Sequence, residues 1–294
     1  MSNGVGVFQL VIINFTILFA VGHVLHSLPE GNAVWGVTSL DNRLYVLRNK
    51  TSQQIEVYDT QSYRLLQRMT VPLLSTMNDL ASCAHNRCLY IADSKASIHR
   101  VGLRIVWLSR PDVKQWPVND IPACLSVTDS QSVLVTCDQA RKIKEFSADG
   151  KLLRQLPLPQ NVMSPRHSVQ LPNGHLVVCH GRHDDPVHRV CLVASDGHVL
   201  KSYGGPQGSG GQCTNMPAHL AADQNKFVFV ADHNNYRVLL VSPAFTFVRE
   251  VVSRDRLKWK PLRLFLDVER RRLYVAVNVQ VGEFTAGRVV VLNV

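Results

Sequence analysis

The chain has 294 residues, 46% of them hydrophobic, 7% aromatic and 18% charged; that balance excludes intrinsic disorder and supplies enough apolar surface for a large core. A single apolar run approaches membrane-spanning length, which excludes a polytopic membrane protein. Lys and Arg number 32 against 22 Asp and Glu, a formal charge of +10, and such an excess points to nucleic acid, acidic lipid or an acidic partner only where it gathers on one surface.

The apolar run comes first, from Val5 to Leu25. Small residues at Ala20 and Gly22 fit a signal-peptidase site, the leader lacks Lys or Arg, and the nearest downstream basic residue is Arg43. Residues 1–22 therefore read as a secretory signal, a membrane anchor or the artefact of a misjudged first exon. The chain is secreted or membrane-anchored if the run is genuine, and cytoplasmic otherwise. The sequon Asn49-Lys-Thr51 is usable only in the secretory case.

Short β-rich runs then recur: LYVL at 44–47, LYIA at 89–92, VLVT at 133–136, LVVC at 176–179, VFVA at 228–231 and LYVA at 273–276. Anchored on Tyr45, Tyr90, Leu134, Val177, Phe229 and Tyr274, their spacings are 45, 44, 43, 52 and 45. A period near 45 built of strands signals a propeller or a related repeat fold. Before each run lie another strand and a turn rich in Asp, Asn and Gly (VTSLDNR, SVQLPNGH and LAADQNK among them), as tight hairpins require. A third strand follows in each unit and a fourth in most, such as YRLLQRM, KLLRQLPL and HVLKSYG. Four strands in each of six units predict an all-β, six-bladed β-propeller over residues 23–294, with no helix after residue 26.

The sixth unit ends at Val294 after its third strand, and His23 to Leu28 (HVLHSL) reads like the fourth strands of other units. An N-terminal strand is therefore expected to close the last blade against Arg288 to Asn293, which removes an exposed sheet edge.

The fifth unit, Tyr203 to Pro243, resembles the NHL repeat: Gly211, Gln212, Pro217, Asp223, Ala231, Asp232, Asn235, Arg237 and Val238 fall on its pattern, with departures at Cys213 and His219. Other units keep less, as in Ala92, Asp93, Arg100 and Val101, or Asp138. The resemblance implies a six-bladed propeller like those of tripartite-motif proteins and some secreted amidating lyases. No RING, B-box or coiled coil accompanies it here, so ligase activity does not carry over.

Aligning first strands gives one column, Gly36, Asp79, Cys124, His167, His219 and Arg263, which is expected near the channel mouth. Asp, Cys and His are ligand types for zinc, so a metal-dependent, lyase-like enzyme in the channel is one reading. The competing one makes these polar residues wet and replaceable, at about 0.5 kcal/mol or less each. The His-rich segment HGRHDDPVH at 180–188 also carries Arg182, with Arg189 beside it, and both oppose a cation. Asp93, Asp138 and Asp232, just after their second strands, suit the fixing of the next turn.

Basic residues are spread over both faces, Arg166 and Arg182 among those on the interblade face. Only Arg254, Arg256, Lys258 and Lys260, with Trp259 among them, form a local patch of the kind that binds RNA or an acidic partner. The function these observations favour is a non-enzymatic, monomeric module that binds a protein or peptide on one face without a cofactor. RNA binding is the first alternative and the channel enzyme the second.

No C-x-x-C pair occurs among the seven cysteines, which excludes a zinc ribbon. Pairing Thr128 with Val133 would set Cys124 opposite Cys137, and reduced core thiols are expected.

Overall fold

The computed structural model describes residues 22–48, 54–71, 76–103, 112–210 and 212–294. Residues 1–21 and the sequon lie outside the described residues, so the signal or anchor expectation does too. No helix among the described residues is long and apolar enough to cross a membrane.

Two short strands, β1 (His23–Ser27) and β2 (Gly31–Asn32), precede the first blade. Blade 1 is β3 (Val34–Leu40), β4 (Arg43–Arg48), β5 (Gln54–Asp59) and β6 (Leu65–Thr70). Blade 2 is β7 (Met77–Cys83), β8 (Cys88–Asp93), β9 (Ser97–Gly102) and β10 (Asp112–Pro117). Blade 3 is β11 (Pro122–Val127), β12 (Val133–Cys137), β13 (Lys142–Phe146) and β14 (Leu152–Pro157). Blade 4 is β15 (Pro165–Gln170), β16 (Leu176–His180), β17 (Val187–Val193) and β18 (Val199–Pro206). Blade 5 is β19 (Pro217–Ala222), β20 (Val228–Asp232), β21 (Arg237–Val241) and β22 (Phe247–Val252). Blade 6 is β23 (Lys260–Asp267), β24 (Arg272–Val281) and β25 (Phe284–Asn293), completed by β1. The chain is a six-bladed β-propeller.

Alternation along each second strand explains the ring. Leu44 and Val46 of β4 pack toward blade 6, whereas Tyr45 and Leu47 pack toward blade 2. Both faces are buried, so both parities are apolar. Six such clusters, one between each pair of neighbouring blades, make up the core.

Closure uses the expected pair of strands, with His23 opposite Asn293 and Ser27 opposite Val290, and β2 adds Gly31 opposite Gly287. Arg48, itself buried, clasps the joint. It donates to the carbonyls of Pro29, Asn32 and Gly287 and pairs with Glu56 at 2.6 Å. Asn278 imitates a strand by accepting from Val34 N and donating to Val34 O. Gly287 is required beside it, because a Cβ there would lie 2.4 Å from Asn278 Oδ1.

Three local expectations are corrected. Blade 2 has a fourth strand, β10, hidden in the sequence because only Trp116 in it is buried. The loop at 254–257 forms α1 (Arg254–Leu257), one turn wrapped around buried Leu257, too short for any helical period. Val127, not Thr128, pairs with Val133, and a register shift follows between Pro122 and Cys124, so Cys124 faces Thr136 and Cys137 faces Pro122.

Candidate functional site: the channel and its interblade mouth

Every innermost strand carries a register shift near its start, between Val34 and Gly36, Met77 and Asp79, Pro122 and Cys124, Pro165 and His167, Pro217 and His219, and Pro261 and Arg263. A bulge adds one residue and re-aims its neighbours. The extra residues of blades 1 to 4, Trp35, Asn78, Ala123 and Arg166, line the interblade mouth, and the residue after each is the aligned column. The aligned residues therefore share one level of the channel.

They form a plug in mid-channel, not a wet rim. Asp79, Cys124, His167, His219 and Arg263 are all buried, from 1% to 6% exposed. Cys124 and Arg263 also border the interblade mouth, and His167 and His219 border the opposite one. The two mouths are cavities of about 180 and 240 Å3 respectively.

A physical rule explains the polar column. An innermost strand has no strand partner on its channel side, so its N–H groups there need another acceptor. Asp79 Oδ2 accepts from Leu125 N at 2.9 Å, His167 Nδ1 from Leu220 N at 3.2 Å and His219 Nδ1 from Leu264 N at 3.3 Å. In each case the donor follows the next blade's column residue. Blade 1 contributes only Gly36, where a Cβ would lie 2.6 Å from Leu80 Cβ. Arg263 of blade 6 meets Asp79 of blade 2 directly, Nε to Oδ1 at 2.9 Å, and donates from Nη2 to Asn78 O at 2.6 Å.

These bonds fix the protonation states. With Nδ1 accepting, each neutral imidazole carries its proton on Nε2; that of His167 reaches Leu125 O at 3.0 Å and that of His219 faces Asp79 Oδ2 at 3.5 Å. The rings stack with centroids 3.6 Å apart. Burial and the neighbouring His219 hold His167 well below the ordinary imidazole range, and burial lowers His219 as well. Burial alone would raise the Asp79 carboxyl, but Arg263 and His219 outweigh it and keep it ionised. Burial pushes the Cys124 thiol up, so it stays protonated.

Asp79, Cys124 and His219 place ligand atoms within 4.8 Å of one another, yet the set does not suit a resident cation. Both Asp79 oxygens and His219 Nδ1 already hold hydrogen bonds, and the Arg263 guanidinium stands where a dication would need space free of positive charge. The same saturation leaves no activated nucleophile and no free base in the plug.

The other sequence candidates disperse. In the His-rich segment, His188 is bound to Arg182 O and Met216 N, and His180 is buried. Asp93 accepts from Lys95 N, and Asp232 accepts from Asn215 N, Asn235 Nδ2 and Arg237 Nε, as the turn-fixing role requires. Asp138 pairs instead with Arg182. In the basic loop, Arg254 lies over the Tyr236 ring at 4.6 Å, Lys260 donates to Asn234 at 2.9 Å, and Trp259 is covered by Arg288. Arg256 and Lys258 stay exposed.

Arg166 is the residue that sequence reasoning left undistinguished. It is half-buried in the interblade mouth, and among the described residues it has no hydrogen bond or ion pair. Its signal was positional: it directly precedes a column residue at a bulge.

No family model and no curated protein matches the chain. Solved structures do. Virginiamycin B lyase from Staphylococcus aureus is similar with a TM-score of 0.61 and 10% identity over 90% of this chain and 98% of that one. A streptogramin B lyase structure gives 0.59 and 13% over 92% and 96%. The Cps50 (Swd1) β-propeller domain of Myceliophteria thermophila gives 0.59 and 11% over 93% and 99%. At such identities the likeness shows the propeller fold alone.

Proposed function

We propose that the chain is a non-enzymatic interaction module, an NHL-like propeller that binds a protein or peptide segment on its interblade face. The observation that carries this reading is the contrast between plug and mouth. The channel's carboxylate, imidazoles and guanidinium are hydrogen-bonded within the plug, while the mouth above them presents the Arg166 guanidinium, which has no hydrogen bond or ion pair among the described residues, the Trp35 ring and the exposed Ile121. Aromatic and Arg groups around a recess are the usual anchors of an interface. A lyase-like reading would need a free acid, base or metal in the channel, and the saturated plug argues against one.

Pooled random decapeptides and a pool of single-stranded RNA, each tested at about 50 and 200 mM salt, separate the readings when followed by hydrogen exchange. Peptide binding that protects amides at the starts of β11 and β15 is the expected result. Salt-steep RNA binding without peptide binding, or protection confined to the opposite face, would overturn it.

A further inference from the structure

We propose that the interblade mouth is a carboxylate-binding subsite in which Arg166 receives an Asp or Glu side chain, or a C-terminus, of an acidic peptide. This inference rests on the interaction-module reading and adds the chemistry of its ligand.

Charge at the mouth is unbalanced. Three arginines border the cavity, and two of them are answered inside the protein: Arg263 by Asp79 and Arg182 by Asp138. Arg166 has no hydrogen bond or ion pair among the described residues, although its surroundings have withdrawn it from much of the solvent. Burial and the neighbouring Arg263 and Arg182 work against its charge, and Asp138 only partly relieves it. A half-buried guanidinium is stabilised most by a planar anion that accepts two parallel N–H bonds.

Size and charge select which anion. The cavity of about 180 Å3 has room for a carboxylate on a short alkyl stem and is too small for a nucleotide. One positive charge is left uncompensated, so a monoanion matches it. A phosphate dianion would overcompensate and would face the Asp138 carboxylate. Trp35, Ile121 and Pro122 supply an apolar rim for the stem.

Arg166 makes no bond that its removal would break and its charge is opposed by its surroundings, so Arg166→Gln should fold with an unfolding midpoint no lower than the parent's. The test follows the Arg166 Nε–Hε resonance during titration with acid-rich, neutral and basic decapeptide pools, N-acetylaspartate and inorganic phosphate. A saturable shift with the acid-rich pool and N-acetylaspartate is expected. Affinity for the acid-rich pool and N-acetylaspartate, measured calorimetrically in every variant, should fall about tenfold or more in Arg166→Gln, recover in part in Arg166→Lys and stay unchanged in Arg256→Gln. If neutral peptides protect the interblade face as well as acidic ones do, the carboxylate inference fails and the interaction reading stands. If phosphate or RNA shifts the resonance and acidic peptides do not, the inference also fails. If no pool protects that face, both fall together.

Discussion

Arg263 of blade 6 and Asp79 of blade 2 meet in the channel at 2.9 Å although blade 1 lies between them. With Gly36 as blade 1's contribution at that level, this ion pair joins blades that share no strand pairing, and the histidines continue the chain of bonds through blades 3 to 6. His219→Ala would leave Leu264 N–H without its acceptor in a buried setting. The expected loss is about 1–3 kcal/mol in urea unfolding, above the small effect that a wet channel residue would show.

Closure gives a second test. A chain starting at Val21 keeps β1, whereas one starting at Pro29 loses it together with buried Leu28, leaving the β25 edge open. The shorter chain should melt at lower temperature and less cooperatively. Arg48→Ala should cost about 1–3 kcal/mol in the full chain, since the carbonyls of Pro29, Asn32 and Gly287 lose their shared donor while Glu56 keeps Arg68 and Tyr58. Equal melting of the two truncated chains would contradict the closure.

Acid sensitivity follows from buried imidazoles. Burial brings His180 and His233 down to about 4 from the ordinary 6.5. The unfolded chain then takes up protons near pH 6.5 that the folded one refuses. Stability should be level above about pH 6.5 and fall toward pH 4, by up to about 1.4 kcal/mol per pH unit for each such group. His180→Leu should make the decline shallower. A midpoint constant from pH 7 to 5 would contradict these states.

How much was legible in the sequence depended on scale. The blades and their closure could be read because strands buried on both faces repeat the same apolar runs, and because β1 resembles the fourth strands it replaces. Column membership of Asp79, Cys124, His167, His219 and Arg263 was legible too, since each stands two residues after the position that Pro122, Pro165, Pro217 and Pro261 hold in their strands. Their solvation was not, because it depends on side chains from five blades converging to fill the channel. Cys124 and Cys137 were misaligned for a local reason: a one-residue error in the turn and the bulge after Pro122 both alter the register.

The cysteines are all free and six of the seven are buried. Burial pushes the thiols of Cys137, Cys179 and Cys191 up to about 12, which makes them inert. Alkylation of the native protein should label Cys213 first, and alkylation after unfolding without reductant should add seven labels to the intact mass. A mass with one label would mean three disulfides and an oxidising compartment.

Urea unfolding of metal-free Asp79→Ala beside the metal-free parent tests most directly the claim that the channel is a structural plug and that function resides at the mouth above it. Removing Asp79 leaves Arg263 buried and unpaired, so the account predicts a loss of about 3–5 kcal/mol with no metal present. An unchanged midpoint, together with zinc that binds the parent and not the variant, would make the channel a metal site and contradict the account.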